Sequence, residues 1–194
     1  MALFIIKGGI GMYGKELYLV VGGSGSGKDS LVDELNRVYG YRKLVSVTTR
    51  KPRVGEKNGR EHWFTSNEEY SKMKLCVSSE YGENGYGARE EDIENSDIYI
   101  IDYNGILEAK RNIYSKKLVV IYIKASESIR KERMFMRGDS EYNIERRIKQ
   151  DREMISLIER SRIYDYCYCN VGSIGEWVEW WKINIECNSN IKVS

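Results

Sequence analysis

Leu17-Tyr18-Leu19-Val20-Val21-Gly22-Gly23-Ser24-Gly25-Ser26-Gly27-Lys28-Asp29-Ser30 is the stretch that decides the fold. Five apolar residues running into glycines read as a strand buried on both faces, because a half-exposed strand would alternate apolar with polar. Gly22 to Lys28 then matches G-x-x-x-x-G-K between that strand and a helix start, the context in which this loop binds phosphate. The glycines let successive backbone N–H groups converge on phosphate oxygens, and the helix N-terminus adds partial positive charge. Lys28 reaches the β- and γ-phosphates of a nucleotide in this reading. The hydroxyl that usually follows the Lys is replaced by Asp29, so Ser30 is assigned to Mg2+ and Asp29 is a charge at the helix start. Gly22, Gly23, Ser24, Gly25, Ser26, Gly27, Lys28, Asp29 and Ser30 form the expected ATP-binding set.

Outward from this loop, strand and helix patterns alternate. A helix is expected over about 29–39 with Leu31, Val32 and Leu35 inward, then a strand over about 42–47. Residues 48–92 break the rhythm with turns and short strands. It resumes with a strand at 97–102, a helix near 104–115 and a strand at 118–123. The segment 126–162 is charged and helical, interrupted at Arg137-Gly138-Asp139, with Ile144, Ile148, Ile155 and Ile158 as its apolar stripe. Arg130, Arg133 and Arg146 read as helix-surface charges. A strand at 166–171 precedes a last helix whose stripe is Ile174, Trp177, Val178 and Trp181. This alternation predicts an α/β fold, a parallel sheet with helices on both faces. Residues 1–15, with four glycines, read as an extension, and the tail after Ile185 as frayed.

Composition sets limits. The chain has 194 residues, a formal charge of +2 and 41% hydrophobic residues, which excludes both a disordered chain and a large basic field for nucleic acid. One His excludes a multi-His metal site. Cys76, Cys167, Cys169 and Cys187 form no Cys-x-x-Cys pair; Cys167 and Cys169 read as buried strand and all four as reduced thiols. The apolar run Leu3–Ile6 stops at Lys7, too short for a signal peptide, and no stretch is long enough for a membrane span. The cytoplasm is the expected compartment.

A second constellation, Ser46-Val47-Thr48-Thr49-Arg50-Lys51-Pro52-Arg53-Val54-Gly55-Glu56-Lys57-Asn58-Gly59, packs four cations between Arg50 and Lys57. Arg50 and Arg53 are spaced to fork onto one phosphate, so this is a second anion site.

Together, the phosphate loop and this Thr-Thr-Arg-x-Pro-Arg-x-Gly-Glu-x-Asn-Gly run resemble the guanylate kinase family. Gly85-Tyr86-Gly87, Asp102-Tyr103-Asn104-Gly105, Arg137-Gly138 with Ile144–Ile148, and Asp165-Tyr166 with Asn170 are similar to its later landmarks. The resemblance implies a P-loop kinase with 16–47 and 93–194 as core, a LID near 137–145 and an acceptor-binding insert at 48–92. It implies that Arg50, Arg53 and Tyr86 hold the acceptor phosphate, with His62 where the family has Tyr, and that Ser46 touches the acceptor base. Asp102 would lie near the acceptor and the metal's water shell, and Asn170 near the adenine. Lys28, Arg50, Arg137 and Arg147 would neutralise the transferred group. Counting back from Tyr86, the family's guanine-reading Glu falls at Val77, with Glu80 three residues on as its substitute, and a second guanine contact falls at Ala88.

The expected reaction is transfer of the ATP γ-phosphoryl group, with Mg2+, to GMP or dGMP, by a monomer or homodimer that uses neither nucleic acid polymer nor membrane. Two alternatives stand beside it. One is a ribose 1,5-bisphosphate phosphokinase or a kinase of altered base preference, suggested by Gly27-Lys28-Asp29-Ser30, His62, Val77 and Ala88. The other is a non-catalytic guanylate kinase-like binding module.

Overall fold

An antiparallel ribbon of β1 (Leu3–Ile6) and β2 (Gly9–Met12) precedes the apolar strand β3 (Glu16–Val21), the phosphate loop and α1 (Lys28–Tyr39). Next come β4 (Val47–Thr48), β5 (Trp63–Phe64), α2 (Asn67–Lys72), β6 (Val77–Tyr81), β7 (Asn84–Ala88) and α3 (Glu90–Glu94). The chain continues through β8 (Ile98–Ile100), α4 (Tyr103–Asn112), β9 (Lys117–Lys124), α5 (Glu127–Met136), α6 (Glu141–Ser161), β10 (Tyr166–Cys169) and α7 (Ile174–Trp181). This computed structural model describes residues 3–6 and 9–12 by their backbone, and 16–53 and 55–187 in full. The rest of the expected extension over 1–15, and the tail beyond 187, lie outside the described residues.

The main sheet has the order β10-β9-β3-β8, every pair parallel. β3 sits inside it, which is why its residues are apolar without alternation. Leu17, Leu19 and Val21 face one core layer with Ile106 and Ile158. Tyr18 and Val20 face the other with Leu35, Trp177 and Trp181. Period-two geometry sends alternate side chains to opposite faces, so both layers of helix are fed from one strand.

Three expectations need correction. The strand expected at 42–47 is reduced to a single bridge, Lys43 to Ile98, because the chain leaves the sheet edge and Val47–Thr48 pair with β5 and β7 instead. Cys167 and Cys169 are exposed, since β10 is an edge strand whose alternate residues Tyr166 and Tyr168 turn toward the core. Ile174 is 44% exposed at the first turn of α7, whereas Trp177 and Trp181 are fully buried.

A second sheet, order β5-β4-β7-β6, forms within residues 47–88. Its β6–β7 hairpin closes through Gly82-Glu83, with Tyr81 opposite Asn84 and Gly82 at φ +64°. Helices α5 and α6 form an arm with a small core of its own, Met134, Ile144 and Ile148. The arm turns at Gly138, whose φ of +89° suits a residue without Cβ. The four cysteines are free, and among the described residues no helix is long and apolar enough to cross a membrane.

Candidate active site

The phosphate loop is shaped from behind as well as by its own glycines. Gly25 and Gly27 hold φ of +75° and +92°. A Cβ on Gly25 would stand 2.5 Å from the Arg130 carbonyl oxygen, and one on Gly27 2.4 Å from Asn170 Nδ2. A Cβ on Gly23 would lie 2.1 Å from Arg130 Nη1. Lys28 curls over the loop, donating to the Gly22 and Gly23 carbonyls at 2.6 and 3.0 Å, and burial lowers its pKa.

Arg130 and Arg133 are not the surface charges their helix suggested. Arg130 is 2% exposed and pairs with Asp151 at 2.6 Å. Asp151 in turn accepts the Ser24 backbone N–H at 2.6 Å. Arg133 reaches the Ser26 and Asn170 carbonyls at 3.3 and 3.2 Å. Asn170 donates to the Ser26 carbonyl at 2.7 Å, so it braces the loop rather than lining the space above it. Gly23 and Ser26 likewise face the loop's back. The alternation Ile144–Ile148–Ile155–Ile158 leaves a gap that Asp151 fills, a signal that the apolar count alone passes over.

Across the cleft, Arg50 forks onto Glu56 at 2.9 and 3.1 Å and lies over the Phe64 ring, 5.5 Å from its centroid. Glu56 also accepts the Arg53 backbone N–H at 2.7 Å, so one carboxylate sets the positions of both arginines. Burial and the neighbouring Arg147 and Arg50 guanidiniums push Arg53 down to about 10. Burial chiefly, then Arg137, also lowers Arg147, despite Asp139 beside it at 3.4 Å. Arg137 is half-exposed and pairs with Asp139 as well.

His62 Nδ1 lies 2.9 Å from Ser46 Oγ, and its ring meets Tyr86 and Phe64 edge-on at 5.8 Å. Burial, then Arg50, pushes its pKa down to about 4, so the imidazole is neutral at pH 7. Asp102 caps α4, accepting from Gly105 N at 2.8 Å and from Ser79 Oγ at 2.6 Å. Asp29 is paired with Lys43 at 2.9 Å.

One cleft of about 380 Å3 gathers Lys28, Asp29 and Ser30 with Ser46, Arg50, Arg53, His62, Tyr86, Asp102, Arg137 and Arg147. Glu80 is absent from it. Strand alternation puts Val77, Ser79 and Tyr81 on the inner side of β6 and leaves Glu80 in solvent, so Glu80 cannot read an acceptor there. Val77 and Ala88 are cross-strand partners, both fully buried in the core. Asp151, Tyr81 and Arg133 line the cleft without having been expected there.

Residues 14–171 match the guanylate kinase family model. A guanylate kinase of Photobacterium profundum is 33% identical over 168 residues, covering 79% of each chain. One of Polaromonas sp. is 31% identical over 170 residues, covering 81% of each. Among solved structures, guanylate kinase from Anaplasma phagocytophilum superposes with a TM-score of 0.64 over 87% of this chain and 84% of its own, at 24% identity, a likeness of fold.

Proposed function

The chain belongs to the guanylate kinase family, and on that premise we propose that it transfers the γ-phosphoryl group of ATP to the phosphate of GMP or dGMP. The observation that carries this reading is the single cleft in which two anion sites face each other. The loop and Lys28 form one wall, Arg50 and Arg53 the other, with Arg137 and Arg147 reaching the same space from the α5–α6 arm. An acceptor phosphate is already an oxyanion near pH 7, so the reaction needs alignment and charge neutralisation rather than a general base. His62, neutral and a weak base, suits hydrogen bonding to the acceptor through Nε2 while Nδ1 engages Ser46. Arg53, Arg137 and Arg147 would spread the charge of the transferred group, and the arm carrying the last two would exclude water.

The donor chemistry of the cleft fits Mg2+, which takes hard oxygens and usually keeps several waters beside substrate phosphates. Ser30 and Asp29 both line the cleft, and among the described residues no cluster of His, Cys, Asp or Glu forms an all-protein cage. Ser30 would hold the ion beside the ATP phosphates, where it neutralises phosphate charge. Four free thiols suit a reduced, cytoplasmic setting.

The test is ADP release over a panel of GMP, dGMP, AMP, CMP, UMP, dTMP and ribose 1,5-bisphosphate. Preference for GMP or dGMP is expected. Turnover only with the sugar bisphosphate, or only with another base, would overturn the acceptor assignment.

A further inference from the structure

Asp151 is fully buried, and donors from three other elements meet on its carboxylate, the Ser24 hydroxyl among them at 3.5 Å from Oδ1. Arg130 Nη1 of α5 and the Ser24 backbone N–H of the phosphate loop each lie 2.6 Å from Oδ2. The Tyr81 hydroxyl, at the end of β6, donates to Oδ1. An ion pair placed only for stability would need Arg130 alone. The donors beyond Arg130 are the ones that matter here, because Ser24 belongs to the loop and Tyr81 to the hairpin that carries Tyr86.

The surroundings strengthen the link. Gly82, next after Tyr81, lies so close to the Gln150 side chain that a Cβ there would stand 3.0 Å from Nε2. Arg147 precedes Asp151 by one turn of α6, so the two project from the same helix face. Burial and the Asp151 charge raise the Tyr81 pKa, keeping the phenol protonated and able to donate. The hairpin tip, the helix that brings Arg147 to the cleft and the phosphate loop therefore share one carboxylate.

We propose that Asp151 is a positioning residue for the phosphate loop and that the Tyr81 hydroxyl is a latch, through which nucleotide at the loop and the seating of the acceptor hairpin are coupled. This rests on the kinase reading above. Phosphates in the loop draw Arg147 and its helix face inward, and the Tyr81–Asp151 bond carries that displacement to β6 and β7. Coupling of this kind is reciprocal, so a seated hairpin favours nucleotide to the same extent.

The test is hydrogen exchange of the β6–β7 hairpin, with and without AMP-PNP and Mg2+, in the wild type, Tyr81→Phe and Asp151→Asn. Protection of α1 reports loop occupancy independently. In the wild type the nucleotide should slow hairpin exchange at least about 5-fold. In Tyr81→Phe, which loses only the hydroxyl, α1 should still be protected while the hairpin no longer responds. Asp151→Asn, with one accepting oxygen fewer and a less firmly held loop, should need more nucleotide to protect α1 and, once α1 is protected, should leave the hairpin silent as well. A hairpin response that persists in Tyr81→Phe, or a silent wild-type hairpin with α1 protected, would overturn the latch alone. A wild type whose α1 is never protected would overturn the kinase reading and the latch with it. Should Tyr81→Phe prove unfolded, the decision passes to Asp151→Asn, and a retained response there overturns the proposal.

Discussion

Removing the Asp151 carboxylate tests how the loop floor is held. In Asp151→Ala the Arg130 guanidinium, 3% exposed in its side chain, would keep its charge and lose its counterion. Breaking a buried pair from one side costs about 3–5 kcal/mol, because the remaining charge stays desolvated. The Ser24 N–H and Tyr81 hydroxyl also lose their acceptor, at about 1–3 kcal/mol for a fully buried donor, in part the same loss counted twice. For a chain this long 1 kcal/mol moves Tm by about 2–4 °C, so a fall of roughly 6–20 °C is expected. The pair itself is not the source of net stability: Arg130 Nε is buried without a partner, so the guanidinium is incompletely compensated. Replacing both members, Arg130→Met with Asp151→Leu, should therefore recover the ionic part, as paired hydrophobic replacements often do. It should not recover the two orphaned donors. Urea unfolding of the wild type, Asp151→Ala, Arg130→Met, Asp151→Leu and the double variant, without ligand, gives the coupling directly. Additive losses, or a cost for Asp151→Ala below about 1 kcal/mol, would refute a buried, desolvated pair.

Other perturbations separate chemistry from scaffold. Lys28→Ala should lower ATP turnover by about 10²–10³-fold with the urea midpoint retained, since a positioned cation is lost and no buried carboxylate is stranded; steady-state ADP release measures it. Gly27→Ala, whose Cβ would meet Asn170 Nδ2 at 2.4 Å, should abolish nucleotide binding by calorimetry. Gly40→Ala has the same positive φ but nothing within 4 Å, and should cost only about 1–2 kcal/mol with activity intact. His62 has a folded pKa of about 4 against an unfolded 6.5, so the unfolded state binds the proton first as pH falls. Its contribution is intact above pH 6.5 and is lost on descent toward 4, by about 2.5 kcal/mol at pH 4.5. Urea unfolding of the wild type and His62→Gln at pH 7.5 and 4.5 should differ by that amount, and parallel curves would refute it.

How much of this was legible in the sequence depended on whether the information is local. The phosphate loop is local: a buried strand, glycines and a lysine within fourteen residues determine one another, and the strand, the loop turn and the helix start all fall where the sequence puts them. The Arg50–Glu56 clamp is local too, for its partners lie six residues apart. Sheet order is not local. Nothing in Tyr166–Cys169 says that this strand forms the edge, so the exposure of Cys167 and Cys169 depended on a neighbour that is absent on one side. The outward placement of Glu80 is local: two-residue alternation from buried Val77 puts 79 and 81 inward and 80 outward. Arg130 and Asp151 could each be taken for solvated charge on its own helix. Only their positions betray them, Arg130 one turn before buried Met134 and Asp151 in the stripe between Ile148 and Ile158. A charge in the apolar stripe of each of two consecutive helices is the sequence trace of a buried pair.

The near-zero net charge hides the site because most acids in it act as positioners. Glu56 sets Arg50, Asp29 engages Lys43, and Asp151 neutralises Arg130, each removing a cation from the pool that a ligand would feel. Among the described residues, the basic groups held below their ordinary pKa are Lys28, Arg53, His62 and Arg147. All four line the cleft. A cation depressed by burial and by other cations is one whose acidic neighbours do not fully offset its desolvation. Lys28, Arg53 and Arg147 around one space leave positive potential that a polyphosphate and an acceptor phosphate would relieve together, and that keeps the nearby His62 neutral. Filling the cleft should therefore raise all four pKa values, so phosphate-bearing ligands should bind with proton uptake by His62 as pH falls toward 5. Calorimetry in buffers of different ionisation enthalpy reads that uptake, and its absence at pH 5 with AMP-PNP and GMP bound would show that His62 does not face the phosphates.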